Sequence, residues 1–187
     1  MSREILESEL LFKGVVFDVV RDRLREPHGA EIVREVVTHS GGAGALPIFE
    51  DGRVALVRQY RHPAKMDLLE IPAGKLELGE SPEECAAREV EQEIGWRPGQ
   101  MQLLADFYST PGFCGERLYV YLATELTPSQ QALDHDEFVE IVYLPLAEAI
   151  ASALRNEFAD SKTIIALLLA EQALRQNLQL TRESSRV

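Results

Sequence analysis

Much of the chain consists of short apolar segments separated by polar turns, a pattern that indicates β-strands. Near the N-terminus, residues 11–20 and 30–37 are rich in Val, and the Pro- and Gly-containing segment between them is typical of a turn. This pattern predicts an N-terminal antiparallel hairpin. A second pair of strands, residues 45–50 and 54–58, flanks Asp51-Gly52, a dipeptide favoured in tight hairpins. Four further segments have strand composition: 68–72, 101–108, 116–123 and 139–144.

Helical signals are strongest over residues 82–94. Ser81 suits the N-cap, Glu84 completes a capping box with it, and Gly95 suits the helix end. Two further segments have apolar residues at helical spacing, namely residues 146–158 and the segment that starts after Asp160-Ser161.

Strands and helices in this order predict an α/β fold, in which a mixed sheet lies between helices as an α/β/α sandwich. The N-terminal hairpin is too small to fold alone. We therefore divide the chain into an N-terminal β region, residues 1–40, and a main domain, residues 41–187.

The amino-acid composition excludes some classes of binding partner and indicates the cellular compartment. The chain has 187 residues and a net charge of −12, which argues against binding to nucleic acid or to anionic membrane. Neither an apolar signal sequence nor an apolar run long enough to span a bilayer is seen. Cys85 and Cys114 have no metal-ligand spacing and indicate no disulfide framework, so we expect a cytoplasmic protein.

The segment GKLELGESPEECAAREVEQEIGW, residues 74–96, carries the clearest chemistry. Glu89 and Glu93 are one helical turn apart and share a face of the predicted helix, with Gln92 alongside. Carboxylates in such a pair suit Mg²⁺, which usually binds through one or two carboxylates together with substrate phosphate. Arg88 is expected to point away from this face and to pair with Glu77 or Glu80.

This segment resembles the Nudix box, G-x5-E-x7-R-E-U-x-E-E-x-G-U, where U is an apolar residue. Every fixed position matches except that of Gln92, where the pattern has the first Glu of an adjacent pair. Nudix enzymes hydrolyse nucleoside diphosphates linked to another moiety. The resemblance implies that the box residues Arg88, Glu89 and Glu93 are catalytic. It also implies a site for Mg²⁺, or Mn²⁺ as a substitute, formed by four residues: Ala73 through its carbonyl, Glu89, Gln92 and Glu93.

Gln92 leaves two interpretations open. An amide is nearly isosteric with a carboxylate but carries no charge, so it is the weaker ligand for Mg²⁺. Gln92 is either a natural variant in an active enzyme or an inactivating substitution. In the second case the chain is a weakened, ADP-ribose-binding module with the Nudix fold.

Two segments outside the box resemble bacterial ADP-ribose pyrophosphatases. One is IPAGKLE, residues 71–77, and the other is the loop YSTPGF, residues 108–113. This resemblance implies Mg²⁺-dependent hydrolysis of ADP-ribose to AMP and ribose 5-phosphate. The alternative is hydrolysis of another nucleoside diphosphate sugar.

The same resemblance assigns roles to residues outside the box. Arg61 is expected to face the diphosphate, and Arg34 to assist from the same subunit or from its partner. Pro111 and Gly112 belong to the substrate-binding loop. Phe17 is a candidate for stacking on adenine, although packing in the core is the favoured interpretation.

The resemblance also implies a glutamate in the acidic loop before the last strand, and this glutamate is the candidate general base. Glu137 is the best match by its distance to that strand, and Asp134 and Asp136 are alternatives. The N-terminal hairpin with Arg34 resembles the exchanged N-terminal region of dimeric ADP-ribose hydrolases. This resemblance implies a homodimer assembled through residues 1–40.

Overall fold

The computed structural model describes residues 2–133, 135 and 137–184, with side chains as far as residue 174. Two compact units can be distinguished. The first contains the residues up to Gly41 together with Phe107–Leu118, and the second contains Gly42–Asp106 and the chain from Tyr119 onward. Within the described residues, no helix has both the length and the apolar character needed to cross a bilayer.

A three-stranded antiparallel sheet forms most of the first unit. Its strands are β1 (Glu4–Lys13), β2 (Asp18–Arg25) and β3 (Glu31–Thr38), in the order β1-β2-β3. The predicted turn between β2 and β3 is confirmed, since the amide of Glu26 donates to the carbonyl of Ala30 at 2.8 Å.

The predicted strand over residues 11–20 is wrong. The chain turns at Gly14, whose amide donates to the Asp18 carboxylate at 3.1 Å, and β1 lies almost entirely before this turn. The hairpin therefore becomes a three-stranded meander. Most side chains of β1 are exposed, so its sequence lacks the alternation of buried and exposed positions that usually reveals a strand.

The two faces of this sheet differ in chemistry. On one face, Arg21, Arg23 and Arg25 of β2 bond glutamates of both neighbouring strands. The cross-strand register places Val20 opposite Leu10, and Leu24 opposite Ile5, on the other face. One face is therefore a ladder of ion pairs. The other carries apolar cross-strand pairs that are separated by the polar row of Ser8, Asp22 and Arg34.

The second unit contains the described helices and most of the remaining strands. The end of the strand Gln100–Tyr108 and the start of the strand Arg117–Thr124 belong to the first unit. Two sheets of the second unit carry the site, a four-stranded sheet in the order β7-β4-β10-β9 and a three-stranded sheet in the order β12-β5-β6. Strands β8 and β11 pair with each other. The elements are β4 (Gly42–Pro47), β5 (Arg53–Arg61), β6 (Met66–Glu70), β7 (Ala73–Lys75), α1 (Pro82–Ile94), β8 (Trp96–Arg97), β9 (Gln100–Tyr108), β10 (Arg117–Thr124), β11 (Thr127–Pro128), β12 (Glu140–Pro145), α2 (Leu146–Leu154) and α3 (Ser161–Ser184).

Alternation along the central strands places helices on both sheet faces. Ala43 and Ala45 of β4 share a buried cluster with Val90 of α1. The neighbouring side chain Leu46 must point to the opposite face, and it is also fully buried. Helix α3 contacts β4, and α2 contacts both β5 and α3. The expected α/β/α sandwich is therefore confirmed.

Two element predictions need correction. The strands predicted on either side of Asp51-Gly52 belong to different sheets and share only one bridge, between Ile48 and Val54. The helix predicted for residues 146–158 ends at Leu154, and Asn156 adopts a left-handed φ of 60° that the helix cannot continue.

Candidate active site

Helix α1 carries the candidate metal residues, and its ends match the prediction. Ser81 and Glu84 form both hydrogen bonds of a capping box, and Gly95 ends the helix with a left-handed φ of 72°. Glu89 and Glu93 lie on the buried side of the helix. Burial of Cys85, Ala86 and Val90 in the core fixes the rotation of α1 and thereby the side on which both carboxylates lie.

Glu93 is nearly inaccessible to solvent, at 1% exposure. Its carboxylate accepts a hydrogen bond from the backbone amide of Ala73 at 3.1 Å, which ties α1 to the start of β7. Burial, and then the charge of Glu89, raise the pKa of Glu93 to about 8. An ionised Glu93 therefore lacks sufficient positive charge nearby.

Glu89 lies against Gly74, the first residue of the motif. A Cβ atom added at Gly74 would come within 1.8 Å of a carboxylate oxygen of Glu89, so no larger residue fits without moving Glu89. Burial raises the pKa of Glu89, although the adjacent Arg88 opposes the shift. The spacing between Gly74 and Glu89 in the sequence thus corresponds to a direct contact.

Glu137 belongs to the same electrostatic cluster. Its negative charge contributes to the raised pKa of both Glu89 and Glu93. The predicted base thus lies within electrostatic range of the two predicted metal ligands. The alternative bases, Asp134 and Asp136, lie outside the described residues.

This cluster fits a divalent cation. Three carboxylates repel one another, two of them are buried, and hard oxygen donors are what Mg²⁺ and Mn²⁺ prefer. In the described part of the chain, no three acidic, His or Cys side chains converge as a ready metal cage. Mg²⁺ does not need one, because it usually completes its coordination with water and substrate phosphate.

Arg88 does not point away from the acidic face, and that prediction is wrong. Its guanidinium bonds Glu80 at 2.7 Å, Glu89 at 2.6 Å and the side-chain oxygen of Gln92 at 2.9 Å. The side chain is long enough to reach back across the helix to its own neighbours. Of the two expected partners, Glu80 is confirmed, and its bond from Arg88 lowers the pKa of Glu80 to about 2. Glu77 instead donates its backbone amide to Glu80 at 3.1 Å.

Gln92 is bound to arginine in this structure. Its amide oxygen accepts from Arg88, and its backbone carbonyl accepts from the amide of Ala132 at 2.9 Å. A glutamate at this position would place a third carboxylate on Arg88. Because Gln92 replaces a glutamate of the motif, Arg88 has one negatively charged partner fewer than the motif would give it.

Arg61 forms a two-pronged ion pair with Glu70, at 2.7 and 3.0 Å. Lys162, at the start of α3, bonds the same carboxylate. Burial favours a raised pKa for Glu70, but the bonds from these two cations outweigh it and hold the pKa below its ordinary value. Sequence reasoning missed Glu70 and Lys162, although an acidic residue at the end of an apolar strand was an available signal.

The predicted residues of the first unit also come together. Arg34, Pro111 and Gly112 line one cavity of about 390 Å³, along with Tyr108 and Phe113. Aromatic rings beside an arginine suit a planar base or a sugar bearing phosphate.

Phe17 does not belong to a core, which corrects the favoured interpretation. It is 43% exposed in the turn after β1, and its ring lies 6.2 Å from that of Phe12. The turn at Gly14 carries it to the surface of the sheet.

A cavity of about 480 Å³ in the second unit was not predicted. Arg58, Tyr60 and Asp67 line one part of it, and Leu133 and Phe138 another. The last two flank Glu137 in the sequence, so this cavity borders the loop that carries the candidate base.

Residues 38–168 match the family model described as NUDIX domain. The chain is 36% identical over 169 residues to the ADP-ribose pyrophosphatase of Bacillus subtilis (strain 168), covering 89% of this chain and 91% of that protein. It is 38% identical over 174 residues to the methanol dehydrogenase activator of Bacillus methanolicus, covering 91% and 94%. A GDP-mannose pyrophosphatase of Yersinia pestis (strain Pestoides F) is 33% identical over 185 residues, covering 90% and 91%.

A solved structure described as an ADP compounds hydrolase superposes with a TM-score of 0.82. The match covers 95% of this chain and 96% of that one at 23% sequence identity, and it shows that the two share a fold. The family match spans most of the chain and includes the whole of α1 with its acidic face. Together with the relatives that align along nearly their full length, it shows that this protein belongs to the Nudix family.

Proposed function

We propose that this protein hydrolyses the diphosphate of ADP-ribose, giving AMP and ribose 5-phosphate, with Mg²⁺ as the metal. The observation that carries the proposal is the buried pair Glu89 and Glu93, fixed against Gly74 and the amide of Ala73. Relatives named as ADP-ribose pyrophosphatases align over this segment and support the choice of substrate.

Glu89 and Glu93 would hold the metal, together with the carbonyl of Ala73. When bound, a divalent ion neutralises the charge of the diphosphate and activates water for attack. Gln92 contributes through Arg88 rather than as a charged ligand, because its side-chain oxygen accepts from that arginine.

Glu137 acts as the general base in this proposal. It accepts a proton from the water that attacks one phosphorus, the bond from that phosphorus to the bridging oxygen breaks, and the other phosphate leaves. Its location supports the role, since its charge reaches both Glu89 and Glu93. Arg88 keeps Glu89 in place through a bond of 2.6 Å.

Arg61 and the cavity of Arg34, Pro111 and Gly112 would bind the substrate. Arg61 carries a fixed positive charge whose effect is felt at Glu93, so it suits the diphosphate. The cavity offers aromatic surface and an arginine to the nucleoside or the terminal sugar. Phe17 is exposed and available for stacking.

A nucleotide-sugar panel tests the substrate. Purified protein with Mg²⁺ is offered ADP-ribose, GDP-mannose, UDP-glucose and NADH, and the release of nucleoside monophosphate is measured. ADP-ribose should give the highest kcat/KM. Higher kcat/KM with GDP-mannose would reassign the substrate, and the relative of that name makes this the leading alternative.

Gln92→Glu tests whether the missing charge weakens the enzyme. The variant should raise turnover, or lower the Mg²⁺ concentration that turnover requires, by less than about tenfold if the residue acts only through its neighbours. If the wild type binds ADP-ribose without cutting it, and the variant cuts it, the chain is a weakened binding module.

We also propose that the protein is a cytoplasmic homodimer assembled through residues 1–40. The first unit exposes large apolar side chains that a second copy could cover: Ile5, Leu10, Phe12, Val15 and Val16. Both cysteines are free thiols, which suits a reducing compartment. Light scattering should give twice the mass of the chain, and removal of residues 1–38 should abolish both assembly and activity.

A further inference from the structure

Glu70 is a buried carboxylate that bonds two cations at once. It ends β6, is 1% exposed, and receives a two-pronged pair from Arg61 and a further bond from Lys162. A buried charge without a partner is strongly unfavourable, but one cation is enough to compensate one carboxylate. Glu70 therefore keeps one cationic partner, Lys162, if Arg61 moves away.

The two cations are held differently. Lys162 is only 14% exposed and also bonds Asp160 at 2.8 Å. Asp160 is itself fixed, because it accepts from the backbone amide of Thr163 at 2.9 Å in the first turn of α3. The side chain of Arg61 is 39% exposed, and its described hydrogen bonds both go to Glu70. Lys162 is thus the anchored partner, and Arg61 is the one with room to move.

Arg61 also lies within electrostatic range of the catalytic cluster. After the larger effect of Glu70, the charge of Glu93 contributes to the raised pKa of Arg61. In the opposite direction, Arg61 opposes the rise in the pKa of Glu93. The guanidinium of Arg61 is therefore close enough to interact with an anion that binds beside Glu93.

We propose that Lys162 is a positioning residue that lets Arg61 leave Glu70 and bind the substrate diphosphate. The proposal rests on the proposed function, in which a diphosphate binds beside Glu93. On binding, Arg61 exchanges a carboxylate for phosphate oxygens, and Lys162 keeps Glu70 compensated. Without Lys162, the departure of Arg61 would strand a buried charge, so Arg61 would stay on Glu70.

Four variants separate this role from simple stabilisation. Kinetics with ADP-ribose and Mg²⁺ are measured for Lys162→Met, Lys162→Arg, Glu70→Gln and the double variant Glu70→Gln/Lys162→Met, and thermal unfolding is measured for each. Lys162→Met should raise KM about tenfold with little change in kcat, because it removes binding energy common to ground and transition states. Lys162→Arg should restore KM to nearly the wild-type value, because it keeps the cation.

The decisive result is whether the double variant has a lower or a higher KM than Lys162→Met. Glu70→Gln alone should raise KM by only about threefold, since Arg61 is then free but no longer directed. Adding Glu70→Gln to Lys162→Met should lower KM, because no buried charge remains to retain Arg61. A purely structural role would make the double variant the worst of the set. An unchanged KM in Lys162→Met, or a double variant with a higher KM than Lys162→Met, would overturn the proposal.

A crystal structure of the wild type tests the exchange without any variant. With Mg²⁺ and α,β-methylene ADP-ribose bound, Arg61 should contact a phosphate oxygen and no longer contact Glu70, whereas Lys162 should still bond Glu70. Arg61 remaining on Glu70 in that complex would overturn the proposal, even if Lys162→Met fails to fold. A wild type that neither binds the analogue nor hydrolyses ADP-ribose would reject the proposed function itself, and this role with it.

Discussion

Arginine–glutamate pairs occur in both units, but in different surroundings. On the ladder of the first sheet, the side chains of Arg21, Arg23, Arg25 and their glutamates are all at least 43% exposed. In the second unit, the carboxylates that bond Arg61 and Arg88 are at most 14% exposed. The same two residue types thus form a solvated ladder on the first sheet and a buried framework around Glu70 and Glu89. The second unit has exposed pairs as well, such as Arg155 with Glu157.

The difference in burial decides what each pair can do. An exposed pair contributes about 0–1 kcal/mol, because water and salt screen it and ordering the side chains costs entropy. Removal of one partner from a buried pair costs about 3–5 kcal/mol, because an uncompensated charge remains. Exposed pairs are therefore replaceable, whereas buried pairs fix the positions of neighbouring groups.

Glu93→Gln should give the largest difference between the two regions. If Glu93 holds the metal as proposed, loss of its charge should reduce kcat for ADP-ribose by about a thousandfold or more. Thermal unfolding without metal should not suffer, because burial already disfavours the ionised form of Glu93. Glu7→Gln removes an exposed partner of Arg23 and serves as the control, with activity within about twofold of wild type. Full activity of Glu93→Gln at ordinary Mg²⁺ would refute the assignment.

Gly74→Ala should have the next largest effect. The added methyl group would collide with the carboxylate of Glu89, so kcat should fall by about a hundredfold as that side chain is displaced. Gly52→Ala is a matched control: Gly52 has a left-handed φ of 82° and open space around its missing side chain. The control should lose about 1–2 kcal/mol of stability to backbone strain and keep its activity. Equal kcat in the two variants would show that the contact is not needed.

Glu80→Gln and Glu31→Gln compare a largely buried pair with an exposed one across pH. The bond from Arg88 lowers the pKa of Glu80 to about 2 from the ordinary 4.5, so the pair stabilises the folded protein above pH 4.5. That stability is lost as the pH falls through about 2. The melting temperature of Glu80→Gln should therefore lie furthest below wild type at neutral pH and converge with it in acid. Glu31→Gln should differ little at any pH, and a reversed order would show that burial does not set the strength of these pairs.

The smallest expected effect concerns the two thiols, which should differ in their reactivity toward an alkylating reagent. Burial raises the pKa of Cys85 to about 12, and its sulfur lies under the carbonyls of Gly74 and Lys75. Cys114 is partly accessible and lines the cavity of the first unit. Iodoacetamide should modify Cys114 in the native protein and Cys85 only after unfolding, as read by mass spectrometry of peptides. Early modification of Cys85 would contradict its location.

The capping residues of α1 predicted its ends correctly, whereas the sequence of β1 did not reveal the strand. Ser81, Glu84 and Gly95 act within one turn of each helix end, so the sequence alone contains the whole cause. Strand β1 is held by pairing with β2 while most of its side chains remain exposed, and no periodicity announces that pairing.

The site follows the same rule. Glu89, Glu93 and Gly74 could be predicted because fixed spacing on one helix and its entry loop determines their contacts. The direction of Arg88 was predicted wrongly, because one side chain had several acidic neighbours to choose from. Glu70 and Lys162 were missed because their contact joins residues 92 positions apart. Chain folding brings them together, and no short pattern contains that information.

The bond between the Ile71 amide and the Thr163 hydroxyl, 2.8 Å long, also joins residues 92 positions apart. During synthesis, strand β6, which ends just before Ile71, leaves the ribosome long before helix α3 does. Contacts of such long sequence separation form late in folding, because the intervening chain must first be closed into a loop. Helix α1 is therefore synthesised well before Thr163 is available to accept the hydrogen bond from Ile71. The fixed position of Ile71 should therefore be reached only after the start of helix α3 has been synthesised, as a late event of folding.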